Sequence, residues 1–190
     1  MRQRNTDPRR RPQLLEPRET YLVWCGGVRT ERLYFDGLKK ALNNPPITVE
    51  LHSSGKPPAQ IVRSAADFRD ARPGKFDQVW CVVDVDQFDI VDAITVAGRR
   101  EINPAVSNPC FEVWLLLHHA ECRAHCDGYN GVVARLRKHV KAYDKARLNF
   151  ADHAHGVAAA IKRAKELGGD PTTNPSTGVW RLVQTIVEKS

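Results

Sequence analysis

The sequence lacks any long apolar run. None of its hydrophobic stretches approaches the roughly 18 to 20 residues that a membrane-spanning helix needs. The arginine-rich N-terminus is not followed by an apolar stretch that could serve as a secretory signal. The five cysteines are an odd number, and three of them lie in strongly apolar stretches, as is typical of reduced thiols in a core. We therefore expect a cytoplasmic protein with no membrane contact and no disulfides.

No internal repeat is visible either. The chain has 190 residues, of which 42% are hydrophobic, and this suits one compact domain, which we predict at residues 19–190. The net charge is +7, and residues 1–18 hold six arginines, two acidic residues and three interrupting prolines. We predict a basic, disordered tail there. Such a tail would attract nucleic acid phosphates, or would only keep the chain soluble.

The first half of the domain alternates between strand and helix patterns. Strands are predicted at 20–25, 47–51, 79–83 and 102–106. Helices are predicted at 30–43, from 58 onward and at 89–100. This repetition predicts an α/β fold with a parallel sheet and helices on both faces. The second half is predicted to be helical, at 109–120, 129–140, 151–167 and 177–189.

Two aspartates follow the strongly apolar strand at 79–83. Because side chains alternate along a strand, Asp84 and Asp86 are expected to point to the same side at its end. Carboxylates that close repel each other unless a cation lies between them. Mg²⁺ and Mn²⁺ take oxygen ligands and leave positions for phosphate. The sequence therefore predicts a metal site here, with a solvated acidic turn as the alternative.

A third carboxylate stands near the start of the apolar helix predicted from Pro109. Asn108 is placed as an N-cap, and Glu112 follows one turn later. With right-handed crossovers, this helix start reaches the carboxyl edge of the sheet, where open α/β sheets bind ligands. Glu112 is therefore expected near Asp84 and Asp86. The alternative is a helix-dipole or ion-pair role.

An Asp-x-Asp after a strand occurs in several enzyme classes. Haloacid-dehalogenase phosphatases carry it on the first strand with Thr or Val at the fifth position, whereas this chain has Phe88 there and uses the third strand. Nucleotide-sugar glycosyltransferases use it to bind a metal and a diphosphate, but their catalytic domains are usually longer. Toprim-like domains set a glutamate after the first strand against an Asp-x-Asp after a later one, and bind Mg²⁺ beside nucleic acid. The order of elements here is most similar to the toprim-like case.

Longer motifs resemble the RloB family over residues 20–188. They are Thr30-Glu31-x-x-Tyr34-Phe35, Ser54-Gly55-Lys56-Pro57, Asp84-Val85-Asp86, the block from Ser107 to His118, Tyr143-Asp144-Lys145 and Asn174-Pro175-Ser176-Thr177. The resemblance implies a toprim-like (Rossmann-like) α/β fold. It also implies a setting in bacterial restriction-modification and phage defence, with nucleic acid and other proteins of the defence system as partners.

The resemblance also suggests roles for individual residues in a Mg²⁺-dependent or Mn²⁺-dependent nuclease. The predicted metal ligands are Asp84, Asp86 and Glu112. The predicted catalytic residues are Glu31, Asp84, Asp86, Glu112 and Lys145. The predicted phosphate or nucleic acid ligands are Lys56, Asn108 and Lys145.

One position departs from the family pattern. RloB-like sequences usually carry Cys-Glu-Gly after the first strand, whereas this chain has Cys25, Gly26 and Gly27. Glycine has no side chain to bind a metal or transfer a proton. Either Glu31 compensates, or catalysis is weakened or lost. In the second case the protein is a non-catalytic nucleic-acid-binding or partner-binding component of a defence complex.

Histidines and cysteines between residues 118 and 126 suggest zinc as a further alternative. On one continuous helix, His118, Cys122 and Cys126 would share a face, and imidazole with thiolate binds zinc well. The remaining histidines, among them His139 and His153, show no metal-binding spacing and are expected at the surface or its boundary.

Overall fold

The structure is a computed structural model that describes residues 19–27, 29–42, 47–51, 56–85 and 90–189. The predicted tail at residues 1–18 and the predicted metal ligand Asp86 lie outside the described residues. Within these ranges, no helix is both long enough and apolar enough to cross a membrane.

Strands and helices alternate through the first half, as the sequence predicts. The strands are β1 (Tyr21–Cys25), β2 (Ile47–Leu51), β3 (Gln78–Asp84) and β4 (Asn103–Asn108). The helices are α1 (Thr30–Ala41), α2 (Pro58–Asp70) and α3 (Ile90–Arg99). The strands pair in parallel in the order β2-β1-β3-β4. The predicted α/β fold with a parallel sheet is confirmed.

The second half is helical, but its helices are shorter than predicted. They are α4 (Glu112–Leu117), α5 (Gly128–Leu136), α6 (Ala151–Ala154), α7 (Val157–Leu167) and α8 (Val179–Glu188). The helix predicted at 151–167 is interrupted because Gly156 packs against the backbone of His118. A Cβ atom at Gly156 would lie 2.2 Å from the His118 carbonyl oxygen.

The predicted N-cap at Asn108 is wrong. The N-cap of α4 is Phe111, and Asn108 instead ends β4. There it pairs with Ser176 of β5 (Ser176–Thr177), a short antiparallel strand at the sheet edge. The Asn108 side-chain amide donates a hydrogen bond to the Pro171 carbonyl oxygen at 2.8 Å. Asn108 therefore belongs to a strand through long-range pairing, although the local sequence pattern predicted it as the cap of a helix.

Alternate residues of the strands face two different cores. Val23 and Val82 belong to the core that contains α1, α4 and α8. Leu22 and Val83 belong to the core under α2 and α3. Since Asp84 follows Val82 by two residues, strand alternation places it on the α1–α4 face. The α4 helix itself is buried along its whole length, as its apolar sequence predicts.

Candidate functional site

A cavity of about 660 Å³ lies at the carboxyl edge of the sheet. Five pieces of chain form it: the turn after β1 with the start of α1, the end of β3, the turn before α4, the start of α5, and residues 145–146. We call it the acidic cavity. Its lining residues are Gly27, Arg29, Thr30, Glu31, Asp84, Pro109, Cys110, Phe111, Glu112, Gly128, Tyr129, Lys145 and Ala146. Its volume is typical of ligand-binding pockets, which run from about 300 to 1,000 Å³.

Most of the predicted site residues that the structure describes come together here. Glu31, Asp84, Glu112 and Lys145 all line the acidic cavity. Lys56 does not line it and lies exposed, just before α2. Asn108 also lies away from the lining, with its amide turned to Pro171. The structure therefore brings three carboxylates and one lysine together, without Lys56 and Asn108.

Glu31 is a buried carboxyl group. Its side chain lies in the first turn of α1, and the residue is only 4% exposed. Burial, together with the negative charge of Glu112, raises the pKa of Glu31 to about 7. The backbone N–H groups of Glu31 and Gly27 and the charge of Lys145 act in the opposite direction. Near neutral pH, Glu31 is therefore present in both its protonated and its ionised form.

Gly27 makes room for this carboxyl group. A Cβ atom at Gly27 would lie 2.1 Å from Oε2 of Glu31, so any side chain there would displace this carboxyl group. Continuing the register from the pair of Cys25 and Val82, Gly27 lies level with Asp84. The Glu31 carboxyl group therefore packs directly over the chain where β1 ends.

Gly26 faces the other side of the sheet. A Cβ atom there would meet Ile61 at 3.1 Å and Val83 at 3.5 Å, both in the core under α2 and α3. The Gly26 N–H donates to the carbonyl oxygen of Val82 at 2.8 Å, which continues the pairing of β1 with β3. A side chain at residue 26 would therefore start on the face opposite Glu31 and Asp84.

Glu112 is held by a tyrosine. It is the first residue of α4 and is 4% exposed, and the Tyr143 hydroxyl donates a hydrogen bond to its Oε1 at 2.8 Å. Burial and the adjacent Glu112 charge raise the pKa of Tyr143 well above its usual range. Tyr143 therefore stays a donor. Within the described ranges Glu112 forms no ion pair, so the ion-pair alternative is wrong. Its place in the first turn of α4 agrees with the helix-dipole alternative.

Lys145 lies on the cavity wall beside an aromatic ring. Its Nζ lies 5.1 Å from the centre of the Tyr129 ring, a cation–π contact. Its carbonyl oxygen accepts a hydrogen bond from Thr30 at 3.1 Å, which ties this loop to α1. The adjacent Asp144 pairs with Arg147 at 3.0 Å instead of with Lys145. The Lys145 ammonium group is therefore directed to the cavity.

Sequence reasoning missed three residues of this site. Arg29 and Tyr129 line the cavity and Tyr143 orients Glu112, but none of them was predicted as a site residue. The Tyr143-Asp144-Lys145 motif was a usable signal for Tyr143, because it places the tyrosine two residues from a predicted ligand. Arg29 and Tyr129 follow no comparable pattern.

The zinc interpretation is wrong. The α4 helix ends at Leu117, so the expected row of ligands on one helix face does not form. Nδ1 of His118 donates to the His153 carbonyl oxygen at 2.7 Å, and its Nε2 lies 3.2 Å from the Tyr34 hydroxyl. Among the described residues, no three His, Cys, Asp or Glu side chains are already placed to hold a metal ion, in the acidic cavity or elsewhere.

His153 also differs from the sequence expectation. It is 1% exposed, whereas a surface or boundary position was predicted. Its carbonyl oxygen accepts the hydrogen bond from His118, and its own ring lies 3.1 Å from that of His119. A packed histidine cluster therefore supports the end of α4 behind the cavity.

Comparison with known proteins gives one family. Residues 21–186 match the family described as RloB-like protein. No curated protein and no solved structure matches the chain. The matched range runs from β1 to α8 and contains every residue that lines the acidic cavity. The chain therefore belongs to the RloB-like family.

Proposed function

We propose that the protein is a divalent-metal-dependent hydrolase of nucleic acid phosphodiesters that acts in bacterial defence. The observation that carries this proposal is the position of Glu31, Asp84 and Glu112, three carboxyl groups from three separate elements that line one cavity with Lys145. Acidic groups gathered at the carboxyl edge of an α/β sheet are a common arrangement for binding a cation and a phosphate.

The chemistry of the donors fits Mg²⁺ or Mn²⁺. Carboxylate oxygens are the ligands these ions prefer. Burial is the main cause of the raised pKa of Glu31, and the negative charge of Glu112 adds to it; a cation in the cavity would offset that charge. Asp84 and Glu112 would hold the ion, with Asp86 as a further predicted ligand. Such an ion, when bound, polarises a phosphodiester and lowers the pKa of bound water.

The protein residues would then divide the work between them. Glu31 is suited to general acid–base catalysis, because a pKa of about 7 lets it accept a proton from water and return it to a leaving oxygen. Tyr143 would keep the Glu112 carboxylate in one orientation. The Lys145 ammonium group would contact the charged phosphate oxygens.

The experiment combines calorimetry with a cleavage assay. Mg²⁺ or Mn²⁺ is titrated into the wild-type protein, and labelled single-stranded DNA and RNA are then incubated with each ion. Asp84→Asn and Glu112→Gln should lose ion binding and reduce cleavage by about 100-fold or more. Asp92→Asn is a matched control, since it removes an exposed carboxylate on α3 and should change neither quantity.

A non-catalytic function is the second candidate, and the glycine at residue 26 favours it. The carboxylate usual in the family at this position is missing, and a side chain there would start on the other face of the sheet. This function predicts salt-dependent binding of DNA or RNA without heat of Mg²⁺ or Mn²⁺ binding and without cleavage. That combination of results would refute the hydrolase proposal.

A further inference from the structure

The chain that follows α5 is strongly basic and exposed. Residues 137–147, which we call the basic segment, contain five basic side chains and one acidic side chain. All five basic residues are exposed. They are Arg137, Lys138, Lys141, Lys145 and Arg147.

The basic segment leads directly into the acidic cavity. Its Tyr143 bonds to Glu112, and its Lys145 lines the cavity wall. The bond from Thr30 to the Lys145 carbonyl oxygen fixes the segment against α1. The positively charged surface outside the cavity therefore extends up to the carboxyl groups inside it.

Most of this positive charge is not neutralised. Arg147 pairs with Asp144 at 3.0 Å, whereas the other four basic residues form no ion pair within the part of the chain that the structure describes. Elsewhere on the surface, Arg100 contacts two aspartates and Arg123 contacts two glutamates. A run of unpaired cations is the electrostatic pattern that attracts a polyanion.

Tyr129 adds an aromatic surface at the cavity. The ring is partly exposed, lines the cavity and lies under the Lys145 ammonium group. An aromatic ring beside a basic groove is typical of single-strand binding, because an unpaired base can stack on the ring while phosphates follow the cations. Bases in a regular duplex are already stacked and paired, so they cannot reach such a ring without being extruded.

We propose that the basic segment and Tyr129 form a binding path for single-stranded nucleic acid. Phosphates lie along Arg137, Lys138, Lys141 and Lys145, and one base stacks on Tyr129. The path rests on the proposed function in one respect, since it would lead a nucleic acid strand to the acidic cavity where cleavage is proposed. Binding itself requires no cleavage.

The test measures binding by fluorescence anisotropy in EDTA, where no divalent ion supports cleavage. The probes are a labelled 20-nucleotide single strand, as DNA and as RNA, and a duplex of the same length. The variants are Lys138→Ala/Lys141→Ala, Tyr129→Ala and Tyr129→Phe. The matched control is Arg99→Ala/Lys162→Ala, which removes two exposed, unpaired charges outside the basic segment. Circular dichroism of each variant checks that it is folded.

The single strand should bind more tightly than the duplex. The Lys138/Lys141 variant should make the slope of log affinity against log salt less negative by about 1.4, at about 0.7 for each phosphate contact, whereas the control keeps the wild-type slope. Tyr129→Ala should weaken single-strand binding about tenfold with an unchanged salt slope, and Tyr129→Phe should restore it. The path would be overturned if the Lys138→Ala/Lys141→Ala variant and the Arg99→Ala/Lys162→Ala control changed the salt slope equally. It would also be overturned if Tyr129→Ala bound the single strand with wild-type affinity. Binding that follows these expectations without any metal-dependent cleavage would overturn only the hydrolase.

Discussion

Glu31→Gln should remove a pH dependence of stability that originates in the acidic cavity. The Glu31 pKa rises from 4.5 to about 7 on folding, because the carboxyl group is buried. A raised pKa stabilises the folded protein fully below pH 4.5, and this stabilisation is lost as the pH rises through about 7. At 1.36 kcal/mol for each pH unit between those values, the whole effect is about 3.4 kcal/mol, of which about 2.5 kcal/mol falls between pH 8 and pH 5.

Urea unfolding, followed by tryptophan fluorescence at pH 8 and pH 5, measures this effect. On going from pH 8 to pH 5, the free energy of unfolding of wild type should rise by about 2.5 kcal/mol relative to that of Glu31→Gln. Titrating groups outside the acidic cavity contribute equally to both proteins and cancel in the difference. Asp36→Asn, on the same helix but in an exposed ion pair with Arg32, should follow wild type. Parallel curves for wild type and Glu31→Gln would show that Glu31 is not a buried, protonated acid and would remove it as a general acid–base candidate.

Three further substitutions probe the surroundings of the cavity. Tyr143→Phe removes the hydrogen bond to buried Glu112, so urea unfolding should show a loss of about 1 to 3 kcal/mol, and cleavage should fall more than ion binding. Burial lowers the pKa of His118 to about 3, so between pH 7.5 and pH 5 this histidine takes up a proton only in the unfolded chain. Its contribution to the stability of the wild type should therefore fall by about 2 kcal/mol over this pH range. When thermal unfolding is measured at both pH values, the stability of wild type relative to His118→Gln should fall by about 2 kcal/mol from pH 7.5 to pH 5. Gly27→Ala should displace the Glu31 carboxyl group, which calorimetry should register as weaker Mn²⁺ binding.

Matched controls separate these effects from general damage. A Cβ atom in Gly26→Ala would lie 3.1 Å from the flexible end of Ile61 and 3.3 Å from the Val82 carbonyl oxygen, and it points away from the acidic cavity, so the variant should bind Mn²⁺ as wild type does. His139→Gln changes an exposed histidine, and the difference in stability between it and wild type should be the same at pH 7.5 and pH 5. If Gly26→Ala and Gly27→Ala behave alike, close packing of Gly27 on Glu31 does not explain the result.

Much of the fold could be predicted because its first half depends on local periodicity. Apolar strands that alternate with amphipathic helices favour parallel pairing, which the structure shows for β1 with β3. The boundaries of α4 and α8 could not be predicted in the same way. They depend on the pairing of Asn108 with Ser176 and on the bond of Asn108 to Pro171, contacts between residues more than 60 positions apart. No short sequence window contains such information.

The residues of the candidate site could be predicted only where they stand at the end of a strand or the start of a helix. Asp84 ends a strand and Glu112 begins a helix, so topology alone brings both to one edge of the sheet. Tyr129 and Tyr143 reach the cavity because the chain after α4 folds back over it, which depends on packing rather than on periodicity. His153 was misplaced for a related reason, since its burial follows from contacts with His118 and His119.

Because Gly27 packs closely on Glu31, the protonation state of the Glu31 carboxyl group depends on the position of the turn after β1. The turn after β1 covers one side of the carboxyl group and keeps water from it. If this turn moved away, water would reach the group and its pKa would fall toward 4.5, so the proton would be released at neutral pH. Any ligand that displaces the turn therefore also changes the charge of the cavity. Proton release when an uncharged ligand binds, at a constant pH, would therefore report that the turn has moved.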